Sequence, residues 1–178
     1  MTVTLEAETD GALVRRCRSG DAQAATALYR RHVRGVYAFA RSLSKDPSSA
    51  EDLVHDAFVG LLDPDGPEDI EDARAFLCAC IRNRFRDDVR KTRVRGRAAR
   101  FLATKEGGSV PTDFVDWVQE SLDRLPEEQR EAVILKIYTE MTFAEIAKVI
   151  GTSLPTAASR YRLGLEKMAS MMTREVTL

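Results

Sequence analysis

Four arginines, Arg82, Arg86, Arg90 and Arg93, follow one another at steps of four, four and three. On a helix that spacing sets them along one side. Between residues 82 and 105 the chain holds ten basic residues and two acids, a local charge of +8. Guanidinium and ammonium groups at that density neutralise phosphates, and the binding they give weakens with salt. Phe85 and Phe101 lie among these cations. Rings there can stack on single-stranded bases, although the helical period places Phe85 in the core. A second polar set sits farther on: Pro155, Thr156, Ser159, Arg160, Arg162 and Lys167. The forked guanidinium of Arg pairs two acceptors at once, on a guanine edge or on a phosphate.

The opposite charge lies just upstream. Residues 46–72 carry ten acids and no Lys or Arg, a local charge of −10. Neighbouring blocks of opposite sign point to two partners, one basic and one anionic. Solvated helix faces that neutralise each other are the plainer reading of either block by itself.

Enzyme chemistry finds little support. The sequence has no GxGxxG, no GxxxxGK[ST] and no HExxH. His32 and His55 are its two histidines, and His55 has neither nucleophile nor second ligand near it in sequence. Cys78 and Cys80, two apart on a helix, point to opposite sides and cannot clamp one metal. Asp87 and Asp88 stand among bases and read as local ion pairs. We therefore expect no catalytic residue, no metal and no cofactor.

Helices must position these groups, because apolar residues recur at three and four and strand-like alternation is missing. Leu13, Val14 and Cys17 begin a short helix that Ser19-Gly20 breaks. Asp21 can cap the next, which turns Leu28, Val33, Val36, Tyr37, Ala40 and Leu43 inward. Another carries Leu53, Val54, Ala57, Phe58, Leu61 and Leu62 on one face. Its other face shows Glu51, Asp52, His55 and Asp56, and Asp63-Pro64-Asp65-Gly66-Pro67 ends it. The arginine helix runs from about Ala73 to about Arg93. Past the Gly107-Gly108 segment, a short helix holds Val115, Val118, Leu122 and Leu125. The helix from Glu127 to Tyr138 then offers Ala132, Val133, Leu135 and Ile137 for burial.

Near the end, Thr142-Phe143-Ala144-Glu145 matches a capping box. Gly151-Thr152-Ser153 reads as a tight turn, and Ser153 can cap the last helix. Leu154, Ala157, Ala158, Tyr161, Leu165 and Met168 form that helix's apolar stripe. Short helix, glycine turn and longer helix make the layout of a helix-turn-helix. Its second helix enters the major groove with its N-terminal residues against base edges. The fold expected is all-α: two small helical domains, 10–95 and 113–174, joined by a flexible linker at 96–112.

The 178 residues suit one domain or two small ones. With 44% hydrophobic and 31% charged residues the composition is that of a globular chain. No apolar run reaches membrane-spanning length, and the N-terminus lacks a basic start followed by an apolar stretch. Three cysteines form no disulfide framework, so a cytoplasmic location is expected.

Four segments carry a resemblance: DAQAATALYRRHVRGVYAFARSL, SSAEDLVHDAFVGLL, ARAFLCACIRNRFRDDVRK and LDRLPEEQREAVILKIYTEMTFAEIAKVIGTSLPTAASRYRLGLEKM, in that order. Together they resemble the bacterial extracytoplasmic-function (group 4) sigma factors of the sigma-70 family. The resemblance implies that the first domain is sigma region 2 and the last is region 4. It implies binding to the clamp helices and flap of core RNA polymerase. For the clamp helices the matching residues are Glu51, Asp52, Val54, His55, Asp56 and Phe58. It gives the minus-ten promoter element to Arg82, Asn83, Arg86, Arg90 and Lys91, and capture of a flipped non-template base to the segment 63–72. The helix-turn-helix would read the minus-thirty-five element as duplex DNA, and the linker would thread toward the RNA exit path. An anti-sigma factor is implied as a further partner.

Three departures stand out. The segment 63–72 is acidic, with Asp63, Asp65, Glu68, Asp69, Glu71 and Asp72. Phe76 stands where the family usually has Trp, and Ala158 where Lys or Arg often stands. From the opposed charge blocks we expect the acidic segment to meet the basic helix in the free protein and to lower promoter binding without core enzyme. The rival functions are a helix-turn-helix regulator that acts without core polymerase, and a decoy that binds core without using promoters.

Overall fold

Short polar side chains start the helices. Thr9 accepts from the Ala12 N–H at 3.3 Å and opens α1 (Asp10–Arg18). Asp21 accepts from the N–H groups of Gln23 and Ala24 at 2.9 and 3.1 Å and opens α2 (Ala22–Ser44). Asp46 accepts from the Ser49 N–H at 2.7 Å, and Pro47 takes the first turn of α3 (Pro47–Leu62). Asp72 accepts from the Ala75 N–H at 3.0 Å and opens α4 (Ala73–Arg95). Each side chain satisfies a donor that a helix start leaves without an intrahelical partner. Asp21 is the cap expected from the sequence; Thr9, Asp46 and Asp72 are caps that the structure adds.

The computed structural model describes residues 8–44, 46–67, 69–95 and 114–175. The expected linker, 96–112, lies outside them, as do Phe101 and Lys105. Beyond it come α5 (Phe114–Asp123), α6 (Glu127–Tyr138), α7 (Phe143–Ile150) and α8 (Leu154–Glu175). Every regular element among the described residues is an α-helix, as the spacing of apolar residues predicts. None of these helices is long and apolar enough to cross a membrane. The capping box forms as expected: Thr142 Oγ1 accepts from the Glu145 N–H, and the Glu145 carboxylate accepts from the Thr142 N–H at 2.6 Å. Gly151 ends α7 at φ 68°, a left-handed conformation that suits glycine. The Thr156 N–H then donates to Ser153 Oγ at 3.3 Å.

α2 packs against α1, α3 and α4. Leu13, Leu28, Val36, Phe39, Leu61, Leu77 and Ile81 are fully buried there. Around α6, α7 and α8 the core is Leu135, Met141, Ile146 and Ala157. α8 comes so close to α6 that a Cβ on Gly164 would lie 2.7 Å from the Val133 side chain. Three expected core residues are corrected. Leu154 is 51% exposed, in the first turn of α8. Leu165 is 37% exposed, because eight steps of roughly 100° put it about 80° around the helix from Ala157. Ile137 is 52% exposed, in the last turn of α6.

The two groups of helices also pack on each other, α2 on α6 and α4 on α7. A Cβ on Gly35 would overlap the Tyr138 carbonyl, so the glycine is what lets α2 touch the end of α6. Arg74 Nη1 donates to the Thr139 carbonyl at 2.6 Å, and its Nη2 lies 3.6 Å from Glu145.

Candidate nucleic-acid and protein interfaces

The candidate protein-binding face lies on α3. Its repeat of apolar pairs turns Val54 and Phe58 toward the core, where they are 5% and 7% exposed. Glu51, Asp52, His55 and Asp56 stand outside. Between α2 and α3 opens a groove of about 680 Å³. Glu51, Val54, His55 and Phe58 line it, so four of the six expected residues share one depression. Asp52 and Asp56 face a second depression, between α3 and α4, together with Arg84 and Asp88. Sequence reasoning missed Tyr29 and Val59, which are 49% and 57% exposed at the first groove. The Tyr29 ring packs on Phe58 with centroids 5.0 Å apart. An exposed aromatic on an otherwise regular amphipathic helix was the available signal.

On α4 the cations divide. Asn83, Arg86, Arg90 and Lys91 are exposed, as a phosphate-binding face requires. Arg82 departs from that row. Its side chain is 6% exposed, and its Nε lies 3.2 and 3.3 Å from the two carboxylate oxygens of Glu131 on α6. A buried guanidinium needs such a partner, since an unpaired charge there is costly. Burial pushes the Glu131 carboxyl above its ordinary range, and Arg82 pulls it the other way. Among the described residues, no ion pair joins the acidic segment 63–72 to the cations of α4 from Arg82 to Lys91. Arg84 pairs with Asp56 and Asp88, Arg90 with Asp87, and Lys91 with Asp88. Of that segment's acids, Asp72 lies 3.8 Å from Arg74, within the start of α4 itself.

At the tip of α8, Pro155 is exposed, and Thr156 and Ser159 are half-buried. Arg160 is 22% exposed and lies 2.8 Å from Glu128. Arg162 pairs with Glu166 at 2.7 Å, one turn on, and Lys167 is exposed. The face therefore carries hydroxyls at its tip and cations behind, next to a helix N-terminus that favours an anion.

No group of three or more His, Cys, Asp or Glu among the described residues is placed to hold a metal ion. Cys78 is fully buried, and burial pushes its thiol up to about 12, far from a reactive thiolate.

Two family models match the chain: Sigma-70 region 2 over residues 28–107 and Sigma-70, region 4 over residues 116–168. The chain is 30% identical over 146 residues to the ECF RNA polymerase sigma factor EcfG of Rhodopseudomonas palustris (strain TIE-1), covering 79% of this chain and 80% of that one. It is 27% identical over 158 residues to the ECF sigma factor SigM of Mycobacterium tuberculosis, covering 86% and 80%. Solved structures share the fold, two of them over most of both chains. One is the sigma factor RpoE of Bartonella quintana with the anti-sigma factor NepR, at TM-score 0.65 and 24% identity, covering 78% of this chain and 89% of that one. The other is CnrH with the cytosolic domain of CnrY, at TM-score 0.63 and 23% identity, covering 94% and 99%.

Proposed function

We propose a division of labour along the chain from one premise: the chain belongs to the extracytoplasmic-function RNA polymerase sigma factors of the sigma-70 family. As a sigma factor it binds core RNA polymerase and directs promoter recognition and transcription initiation. The finer reading places it in group 4, with residues 10–95 as region 2, 96–112 as a linker and 113–174 as region 4. It acts in the cytoplasm, as a binding protein and not as an enzyme.

One observation carries the assignment of parts. The exposed faces of α3 and α4 carry different chemistry: an apolar groove edged by Glu51 and His55 on α3, and Asn83, Arg86, Arg90 and Lys91 on α4. The first suits the clamp helices of the polymerase, with Asp52 and Asp56 beside it. The second suits the phosphates and bases of the minus-ten element. The segment 63–72 captures a flipped non-template base, and Thr156, Ser159, Arg160, Arg162 and Lys167 behind Pro155 read the minus-thirty-five duplex. Strand opening draws on binding free energy, since no nucleotide-binding loop is in the sequence.

Arg82 reaches promoter DNA when the two groups of helices part, because Glu131 holds it in the packed arrangement. An anti-sigma factor is a further partner, as NepR is for RpoE in one of the structures that share the fold. The test is run-off transcription with purified core polymerase on promoter fragments. Selective transcripts that vanish in Ser159→Ala/Arg160→Ala and in Arg86→Ala/Arg90→Ala support the reading. Tight duplex binding with no binding to core would replace it with an ordinary helix-turn-helix regulator.

A further inference from the structure

We infer that Arg18 is a positioning residue for base recognition, fixing the acidic segment between α3 and α4 in the shape that meets DNA. The inference rests on the reading that this segment captures a minus-ten base.

The sequence of α3 ends without a basic residue in its last turn. Its final carbonyls thus lack the cation that helix C-termini favour. Arg18, the last residue of α1, supplies it from 43 positions away. Its Nε and Nη2 donate to the Leu61 carbonyl at 3.3 and 3.1 Å, and its Nη1 donates to the Pro67 carbonyl at 2.7 Å. One planar guanidinium therefore ties the end of α3 to the far side of the Asp63–Gly66 turn. That turn is closed by the Gly66 N–H on the Asp63 carbonyl at 3.0 Å and by the Asp65 N–H on Asp63 Oδ1 at 3.0 Å.

Gly66 fits this arrangement. A Cβ there would lie 2.9 Å from Arg18 Nη2 and 3.1 Å from the Asp63 carbonyl. Farther along, Ile70 is buried, and its carbonyl would be 3.1 Å from a Cβ on Gly11, also in α1. α1 therefore braces the segment at two places, and Asp72 anchors its end as the cap of α4. Pro64, Asp65, Pro67 and Asp69 remain exposed between the anchors. A segment ordered before DNA arrives loses less entropy on binding, and a fixed backbone discriminates one base from another better than a loose one. Arg18 also brings a cation into a segment with six acids.

The experiment uses holoenzyme assembled on core polymerase and promoters carrying each base at each minus-ten position. Arg18→Ala is expected to flatten base preference at one position by about fivefold or more, the low end of what one base pair contributes. Preference at the other positions and core binding stay as in the parent. Arg18→Lys, which offers one nitrogen in place of the planar fork, restores part of the preference. Gly66→Ala flattens the same position with Arg18 in place. A uniform loss at all positions with a lower melting temperature would overturn the inference in favour of general stability. If Asp65→Ala/Asp69→Ala changes the profile and Arg18→Ala does not, Arg18 is not the brace and base capture stands. If neither changes it, base capture itself fails and the inference falls with it.

Discussion

Arg82 and Glu131, 49 positions apart in the chain, meet at 3.2 Å with both side chains buried. One belongs to the basic helix α4 and the other to α6. A buried ion pair loses so much hydration that its net contribution to stability is small, but either charge left alone is strongly unfavourable. The pair therefore acts as a constraint on arrangement: while the two groups of helices stay packed, α2 on α6 and α4 on α7, both partners must be present.

Glu131→Gln tests this constraint. A buried Arg82 without its carboxylate would cost about 3–5 kcal/mol, which opening of the seam between the two groups of helices relieves. The expected result in the free chain is a longer fluorescence-transfer distance between labels on α3 and α8, with helix content unchanged. Minus-ten single strands should bind the free variant more tightly than the parent. Arg82→Met/Glu131→Leu, which leaves no charge to bury, should keep the short distance. An unchanged distance in Glu131→Gln would show that apolar packing alone holds the seam.

The pH dependence follows from the caps. The Asp46 carboxyl is held below its ordinary range by the Ser49 N–H and hydroxyl, and Glu145 by the Thr142 N–H and hydroxyl. Such groups contribute stability above the unfolded-state range, near pH 4, and lose it as pH falls through the lower folded values. The melting temperature should therefore fall most steeply below about pH 4. Asp46→Asn keeps a cap acceptor and removes the titration, so its melting temperature should fall less over that interval. An equal fall would locate the acid sensitivity elsewhere.

Val59 offers a cleaner probe of the α3 face. At 57% exposure, Val59→Asp should change stability by no more than about 0.5 kcal/mol. A charge set in the apolar groove should still weaken core polymerase binding by about 1–2 kcal/mol, as expected for a desolvated interface residue. Titration of core with labelled chain reads this directly. Parent-like affinity would move the polymerase contact off this groove.

Most of the helical framework was legible in the sequence because its signals are local. Asp21, the Thr142–Glu145 box and Gly151 act within four residues of the backbone they serve. Arg82 was not legible. Its spacing with Arg86 and Arg90 places it on a cationic stripe, and only the approach of α6 buries it. Arg18 was missed for the same reason, since its acceptors lie in another helix and a turn. Ile137 and Leu165 show the limit of periodicity, which marks an apolar face but not where the neighbouring helix stops covering it.

On the proposed reading of α8, Arg160 and Lys167 separate two kinds of DNA contact. Arg160 sits near the helix tip, 2.8 Å from Glu128, while Lys167 lies two turns on and is exposed. A guanidinium near the tip can reach base edges once it turns from Glu128; an ammonium farther back meets phosphate. Arg160→Ala should cost about 1–3 kcal/mol on the preferred minus-thirty-five site and relax preference at one base pair. Lys167→Ala should weaken all sequences alike and reduce the slope of log affinity against log salt by about 1. Glu128→Gln should strengthen duplex binding, because it removes both the competing partner and a negative charge beside the phosphates. Binding isotherms over a salt series, on a site library, distinguish these outcomes. A uniform loss in Arg160→Ala would make Arg160 a phosphate contact and shift base reading to Thr156 and Ser159. No gain in Glu128→Gln would show that the Arg160–Glu128 pair persists on DNA and orients the guanidinium there.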